Sequence, residues 1–144
     1  MPIEDLLTES GRNLFTIDPN ESVGDAVKIL AGNDIGALPV CDQNKQVVGI
    51  VSERDIVRIC NGSDDDWKKL KISDIMKVKV VSATPADKIR DIIGVMKEKR
   101  IRHVPVIENG TLVAMFSVRD LFSYLLKVTQ EERDTMTMAY ETIR

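Results

Sequence analysis

Val47-Val48-Gly49-Ile50-Val51-Ser52-Glu53-Arg54-Asp55 reads as a strand that runs straight into a helix. The first five residues form a short apolar, mostly β-branched run, the pattern of a buried strand. Ser-x-x-Asp follows at once and is the signature of a helix N-terminus. Leu112-Val113-Ala114-Met115-Phe116 runs in the same way into Ser117-Val118-Arg119-Asp120, then Leu121-Phe122. One short chain therefore carries two strands that end in Ser-x-Arg-Asp at a helix start.

Working outward, the segments before each stretch also match. Phe15-Thr16-Ile17 is a strand candidate and Asp18-Pro19-Asn20 is turn chemistry. Ser22-Val23-Gly24-Asp25 reads as a capping box, with Val23, Ala26, Val27 and Leu30 at helical spacing and Gly32-Asn33 as the stop. Ile35 to Val40 is extended, and Pro39 predicts an exposed or irregular edge. Asp42-Gln43-Asn44-Lys45 turns the chain into strand 47–51, and helix 53–60 follows. In the second half Val80-Val81-Ser82 is the strand candidate, and Thr84-Pro85-Ala86-Asp87 predicts a capped helix with Pro at its first position. Ile89, Ile92, Ile93 and Met96 give that helix its stripe, Ile101 to Val106 is extended, and Glu108-Asn109-Gly110 is a hairpin turn. Pro19 and Pro85, Asp25 and Asp91, Ile35 and Ile101, and Pro39 and Pro105 all stand 66 positions apart. After the hairpins the shift is 65 (Ser52 and Ser117, Arg54 and Arg119, Asp55 and Asp120), because the second turn is one residue shorter.

This is an internal duplication of a strand-helix-strand-strand-helix unit, and the fold class is α+β. A copy of about 60 residues buries little core alone, so the two must pack together. The expected organisation is 1–60 for the first repeat with a lead-in, 61–78 for a linker, 79–126 for the second repeat and 127–144 for a helical tail. In the lead-in Ile3, Leu6 and Leu7 predict one amphipathic turn ended by Gly11. In the linker Trp67 is expected to pin the polar run Asn61 to Asp66, and Ile72 to Met76 to form one helical turn. In the tail Leu121, Phe122, Leu125, Leu126, Met136, Tyr140 and Ile143 fall roughly on one face.

Composition narrows the function. The chain has 144 residues, 43% apolar and 30% charged, enough for a real core. A net charge of −3 without a basic stripe argues against a nucleic-acid partner. No apolar run is long enough to cross a membrane, and the N-terminus lacks the pattern of a signal peptide, so a cytoplasmic protein is expected. Cys41 and Cys60 read as simple buried thiols of a reducing compartment rather than a zinc site or disulfide. His103 is the single histidine, and no nucleophile, metal-ligand or phosphate-loop motif accompanies it. Neither an enzyme nor a metal site is expected, and no cofactor is required.

The repeated turn has two readings. Ser52 with Asp55, and Ser117 with Asp120, could simply cap helices. A strand-to-helix turn also offers free N–H groups and the positive end of a helix dipole to a phosphate, while the carboxylate can accept from ribose hydroxyls. Arg54 and Arg119 favour the second reading, since a cap has no need of them. Arg102-His103 in the second copy can reach an anion. Gly36-Ala37 at the matching places allow a flat ring close to the backbone. The clefts are therefore expected to be unequal, with the one that receives Arg102 and His103 holding phosphate more strongly.

These residues together resemble a tandem cystathionine-β-synthase (CBS) domain pair, or Bateman module, over residues 14–126. They are Ile17-Asp18-Pro19, Ile35-x-x-Leu38-Pro39-Val40 and Gly49-Ile50-Val51-Ser52-Glu53-Arg54-Asp55, then Ile101-Arg102-His103-Val104-Pro105-Val106 and Phe116-Ser117-Val118-Arg119-Asp120. Ala114 stands where the family usually has Gly. The chain is most similar to short stand-alone bacterial proteins made of little besides the pair. The resemblance implies two βαββα units packed sheet to sheet with pseudo-twofold symmetry and two clefts between them. Family members commonly bind AMP, ADP, ATP, S-adenosylmethionine or NAD(H) there. It implies that adenine sits among Thr16, Ile17, Ile35, Gly36, Ala37 and Leu38, up to Pro39, or among Ser82, Ala83, Ile101 and Val104, up to Pro105. Asp55 and Asp120 match the acid that binds ribose, and Ser52 and Ser117 the hydroxyl on the phosphate side. Arg54, Arg119, Arg102 and His103 are the local cations. The implied function is a non-enzymatic sensor of adenosine-containing ligands that forms a homodimer. The alternatives are a ligand-free dimerisation or interaction module, or a regulatory subunit of a separately encoded enzyme or transporter.

Overall fold

The computed structural model describes residues 2–4, 7, 14–61 and 65–128. Leu6, Gly11, residues 62–64 of the polar run, Met136, Tyr140 and Ile143 lie outside those residues. Helix α1 spans Val23–Asn33, strands β1 and β2 span Ala37–Cys41 and Val47–Ser52, and helix α2 spans Glu53–Cys60. A 3-10 turn at Asp65–Lys69 and a single helical turn α3 at Ile72–Ile75 bridge to the second copy. There α4 spans Ile89–Lys99, β3 and β4 span His103–Glu108 and Thr111–Ser117, and α5 spans Val118–Val128.

Each copy builds one antiparallel hairpin, with the same bulge one residue past the matching Val40 and Val106. The register sets Ala37 opposite Ser52 and His103 opposite Ser117, so each strand start lies beside a strand-to-helix turn. The second hairpin closes tightly because Asn109 and Gly110 both take positive φ, 52° and 81°, as a two-residue turn requires. The first expected strand contracts to a single parallel bridge, Ile17 with Val40, and in the second copy Val80 to Ser82 form no strand and the matching bridge falls one residue later, Ala83 with Val106. Pro39 and Pro105 explain why those bridges form as they do. The Ile17 N–H donates to the Pro39 carbonyl and the Ala83 N–H to the Pro105 carbonyl, so each ring's missing N–H faces the sparsely bonded side of its hairpin. The edge is irregular as expected, but Pro39 is buried rather than exposed.

Some boundaries move. Helix α1 runs to Asn33 and stops at Asp34, which adopts the left-handed conformation, φ 52°. Thr84 to Asp87 does not cap α4. It closes a turn in which the Asp87 N–H donates to the Thr84 carbonyl and the Thr84 N–H to the Asp87 carboxylate. The helix starts after Lys88, the residue 66 positions beyond the Ser22 cap of α1. On α5, Leu121 and Tyr124 are buried and Leu125 packs against them, whereas Phe122 and Leu126 point outward. The predicted common face therefore divides.

Two cores result, one per copy. Leu38, Val40, Val51, Val23 and Ile72 anchor the first, and Phe116, Val104, Val106, Ile89, Met96, Leu121 and Ile3 the second. Ile72 and Ile3 reveal an exchange. The lead-in was expected to belong to the first copy, yet Ile3 and Leu7 pack on the second. The Ile3 and Glu4 N–H groups donate to the Asp87 and Pro85 carbonyls. The linker makes the matching bonds on the first copy, from Ile72 and Ser73 to Glu21 and Pro19. Trp67 also packs against the first core, as expected of a pin, with the Lys68 ammonium 5.7 Å from its ring. Between the copies, Gln46 bridges Thr111. These are matching positions, so the bridge lies on the pseudo-twofold axis.

Candidate functional site

Both strand-to-helix turns fold as reciprocal caps. Asp55 N–H donates to Ser52 Oγ (3.2 Å), and the Ser52 N–H and hydroxyl donate to Asp55 Oδ2 (3.0 and 2.9 Å). Asp120 N–H donates to Ser117 Oγ (3.1 Å) and Ser117 N–H to Asp120 Oδ2 (2.8 Å). Each turn is also tied to the segment before the copy's first hairpin strand: Glu53 N–H donates to the Gly36 carbonyl and Val118 N–H to the Arg102 carbonyl, both at 2.9 Å. Capping thus holds the side chains in place and leaves the helix starts at the surface of two clefts.

The larger cleft, about 810 Å³, brings Ser117, Arg119 and Asp120 of the second copy to Ile35, Gly36 and Ala37 of the first. That volume falls inside the range of small-molecule sites, about 300–1,000 Å³. The smaller, about 130 Å³, brings Ser52, Arg54 and Asp55 of the first copy to Ile101, Arg102 and His103 of the second. Gly36, Ala37, Glu53, Arg102 and His103 line both, so they form the wall between the clefts. Arg102 and His103 therefore do not belong to one cleft, and the inequality expected from them is corrected. The clefts differ in other ways. Lys77, Lys79 and Arg100 add positive charge to the smaller one, whereas Asp34 and Asp120 offset Arg119 in the larger.

Gly36 has a steric role in this wall. A Cβ there would lie 3.1 Å from His103 Cε1 and 3.2 Å from Nε2, so glycine lets the imidazole lie against the backbone. Burial holds the His103 pKa below its ordinary value, opposed by the negative charges of Asp120 and Glu53 and reinforced by Arg102. In the first copy Lys77 Nζ lies 3.5 Å from Asp55 Oδ1, and the Asp55 side chain is 9% exposed.

Eight of the residues singled out from sequence lie away from both cleft linings. Ile17, Leu38, Ala83 and Val104 are core, Pro39 and Pro105 are buried in the hairpins, and Thr16 and Ser82 are exposed. Sequence reasoning missed Leu14, Phe15, Asn33, Asp34 and Val113 to Phe116 in the larger cleft, and Lys77, Lys79, Val80, Val81 and Arg100 in the smaller. The duplication carried part of that signal, since Leu14-Phe15 and Val80-Val81 are matching pairs 66 positions apart. Glu53, in both walls, stands inside the Ser-x-x-Asp motif without belonging to its pattern.

The sequence profile of the CBS domain matches residues 3–62 and again 72–127. The chain is 33% identical over 116 residues to a 17.7 kDa protein of Acidianus ambivalens, covering 80% of this chain and 69% of that one. It spans 40% and 57% of two further curated relatives. Among solved structures it is similar to a CBS-domain containing protein of Agrobacterium tumefaciens, with 33% identity, a TM-score of 0.81 and coverage of 86% and 98% of the two chains. It is also similar to the CBS domain pair of protein MJ0100, solved in complex with 5′-methylthioadenosine and S-adenosyl-L-methionine, with 25% identity, a TM-score of 0.76 and coverage of 90% and 98%.

Proposed function

We propose that this chain, which belongs to the CBS domain family as a tandem pair, is a regulatory module that takes an adenosine-containing ligand in its larger cleft. One observation carries the reading: the cavity of about 810 Å³ joins the Ser117-x-Arg119-Asp120 helix start to the small residues Gly36 and Ala37. The helix N-terminus and Arg119 suit a phosphate or other anionic end. Asp120 suits the ribose hydroxyls, and the apolar lining from Phe15, Ile35, Val113 and Met115 suits a base. The adenosine derivatives bound by the MJ0100 pair support the ligand class. Regulation follows if the ligand binds one arrangement of the two copies better than another. Among the described residues no helix is long and apolar enough to cross a membrane. Cys41 and Cys60 are free thiols, in keeping with a cytoplasmic setting.

Calorimetric titration with AMP, ATP, NADH and S-adenosylmethionine tests this reading. A saturable heat with at least one of them, accompanied by a raised melting temperature, is the expected result. No heat and no thermal shift with any would favour the ligand-free interaction module. A homodimer is also part of the reading, because Val57 (66% exposed) and Phe122 (51%) are matching apolar residues on α2 and α5. Sedimentation that shows only monomer at micromolar concentration would count against it.

A further inference from the structure

We propose that Met76–Lys77 is a latch built over the smaller cleft, in which the Lys77 ammonium holds the Asp55 oxygen that a ribose diol would need, so that only the larger cleft accepts a nucleoside while the latch is seated. This rests on the nucleoside reading above and adds to it a contact that selects between the clefts.

Three observations carry the proposal. The first is backbone pairing: Ile50 N–H donates to the Lys77 carbonyl and Lys77 N–H to the Ile50 carbonyl, at 3.0 and 2.9 Å, so the linker adds to the free side of β2. The second is the carboxylate. Oδ2 of Asp55 already accepts from Ser52, and Oδ1 faces Lys77 Nζ, so both oxygens are engaged. The third is Gly49. A Cβ on it would stand 2.6 Å from Met76 Sδ and 3.0 Å from the Lys77 carbonyl oxygen. A methyl group there would make the Met76 side chain turn aside and the Lys77 carbonyl give way, so glycine favours the seated latch.

The second copy is written differently at each of these places. Ala114 stands at Gly49's position, so a Cβ occupies the space that the latch needs. Met115, matching Ile50, makes no such added bridge among the described residues. In the sequence, a shift of 69 positions that aligns Ile3 with Ile72 also aligns neutral Thr8 with Lys77. The latch is also releasable. Lys77 is 54% exposed, and an ion pair with so exposed a partner adds little to stability.

Hydrogen exchange and adenosine calorimetry on the full chain test the proposal together. In the native chain the Ile50 and Lys77 amides should be protected and adenosine should bind once per chain. Gly49→Ala should release both amides and add a second adenosine site. Lys77→Ala keeps the backbone pairing but frees Asp55, so it should add a weaker second site, and it carries the test if Gly49→Ala does not fold. Two sites in the native chain, unprotected latch amides, or no added site in either variant would overturn the latch. If the native chain takes no adenosine, the reading of the larger cleft fails by itself. The latch is then supported if the variants gain one site and overturned if they gain none.

Discussion

In the first copy Gly49 lies under Met76, and the linker runs on to pair with Ile50 and to reach Asp55 through Lys77. In the second copy Ala114 and Met115 stand at the same places and form the wall of the larger cleft. The hairpins, their bulges, the Ser52 and Ser117 caps and the left-handed residues Asp34 and Arg100 are otherwise matched between the two copies. A duplicated turn therefore does not imply a duplicated site. On the latch proposal, the segment that completes each copy, and the methyl group beneath it, decide how much of the turn a ligand can reach.

The largest expected effect tests whether the copies are separate in stability as well as in access. Phe116 is 1% exposed at the centre of the second core, and Val51 is its smaller match in the first. Phe116→Ala should cost about 3–5 kcal/mol, the usual range for a buried Phe truncated to Ala. The bridge at Gln46 and Thr111 and the exchange of Ile3 and Ile72 predict one cooperative urea transition that shifts as a whole. Two transitions, of which only one moves, would mean that the copies fold independently.

Next in size is the difference between the two acids. Asp120→Ala removes the carboxylate of the larger cleft and should weaken adenosine by about 1–3 kcal/mol, roughly ten- to a hundredfold. The loss should be smaller for 2′-deoxyadenosine. Asp55→Ala should leave adenosine affinity nearly unchanged, since its cleft is narrow and its carboxylate already engaged. Both variants lose a helix cap and about 1 kcal/mol of stability, so binding is compared after melting curves have set a temperature at which both are folded. Equal losses for the two acids would abolish the contrast between the copies.

The shared plan was legible in the sequence because special residues recur at a fixed spacing. Pro39 and Pro105, the two Ser-x-Arg-Asp turns and the shorter second hairpin give the topology and register before any contact is known. The misplaced start of α4 shows the same signal overruled: Thr84-Pro85-Ala86-Asp87 has the composition of a cap, but the repeat spacing already pointed to Lys88. What differs between the copies was harder to read. Ile3-Glu4-Asp5-Leu6-Leu7 and Ile72-Ser73-Asp74-Ile75-Met76 are a second repeated phrase, but they stand 69 positions apart rather than 66. Each also completes the copy that it does not lead into, which local pattern cannot express. Lys77 comes to the smaller cleft through that packing alone.

A smaller effect separates the ligand's phosphate from its nucleoside. Arg102 is exposed and lines both clefts, and Gly36 is its uncharged match. Arg102→Ala should weaken AMP by about tenfold or less, the loss of one solvent-exposed charge-assisted bond, and leave adenosine nearly unchanged. The same loss for both ligands would mean that Arg102 supports the wall rather than the anion.

The smallest effect is the dependence on pH, and it enters both clefts from the second copy, because His103 is matched by Ala37. Burial holds the imidazole below 6.5, while Asp120 and Glu53 draw it up and Arg102 presses it down. The unfolded chain therefore binds a proton at a higher pH than the folded one. The stability that His103 contributes is complete above about pH 6.5, the unfolded value. It is lost as pH falls through the lower folded value. A phosphate in either cleft favours the imidazolium and raises that folded value. AMP should therefore bind with uptake of a fraction of a proton near pH 6, and adenosine without. AMP should also tighten between about pH 7.5 and 5.5, by less than about tenfold, the effect of a one-unit shift. Calorimetry in two buffers of different ionisation enthalpy reads the proton directly, and His103→Gln should abolish it. Equal proton uptake for AMP and adenosine would mean that the proton does not come from a histidine that faces the phosphate.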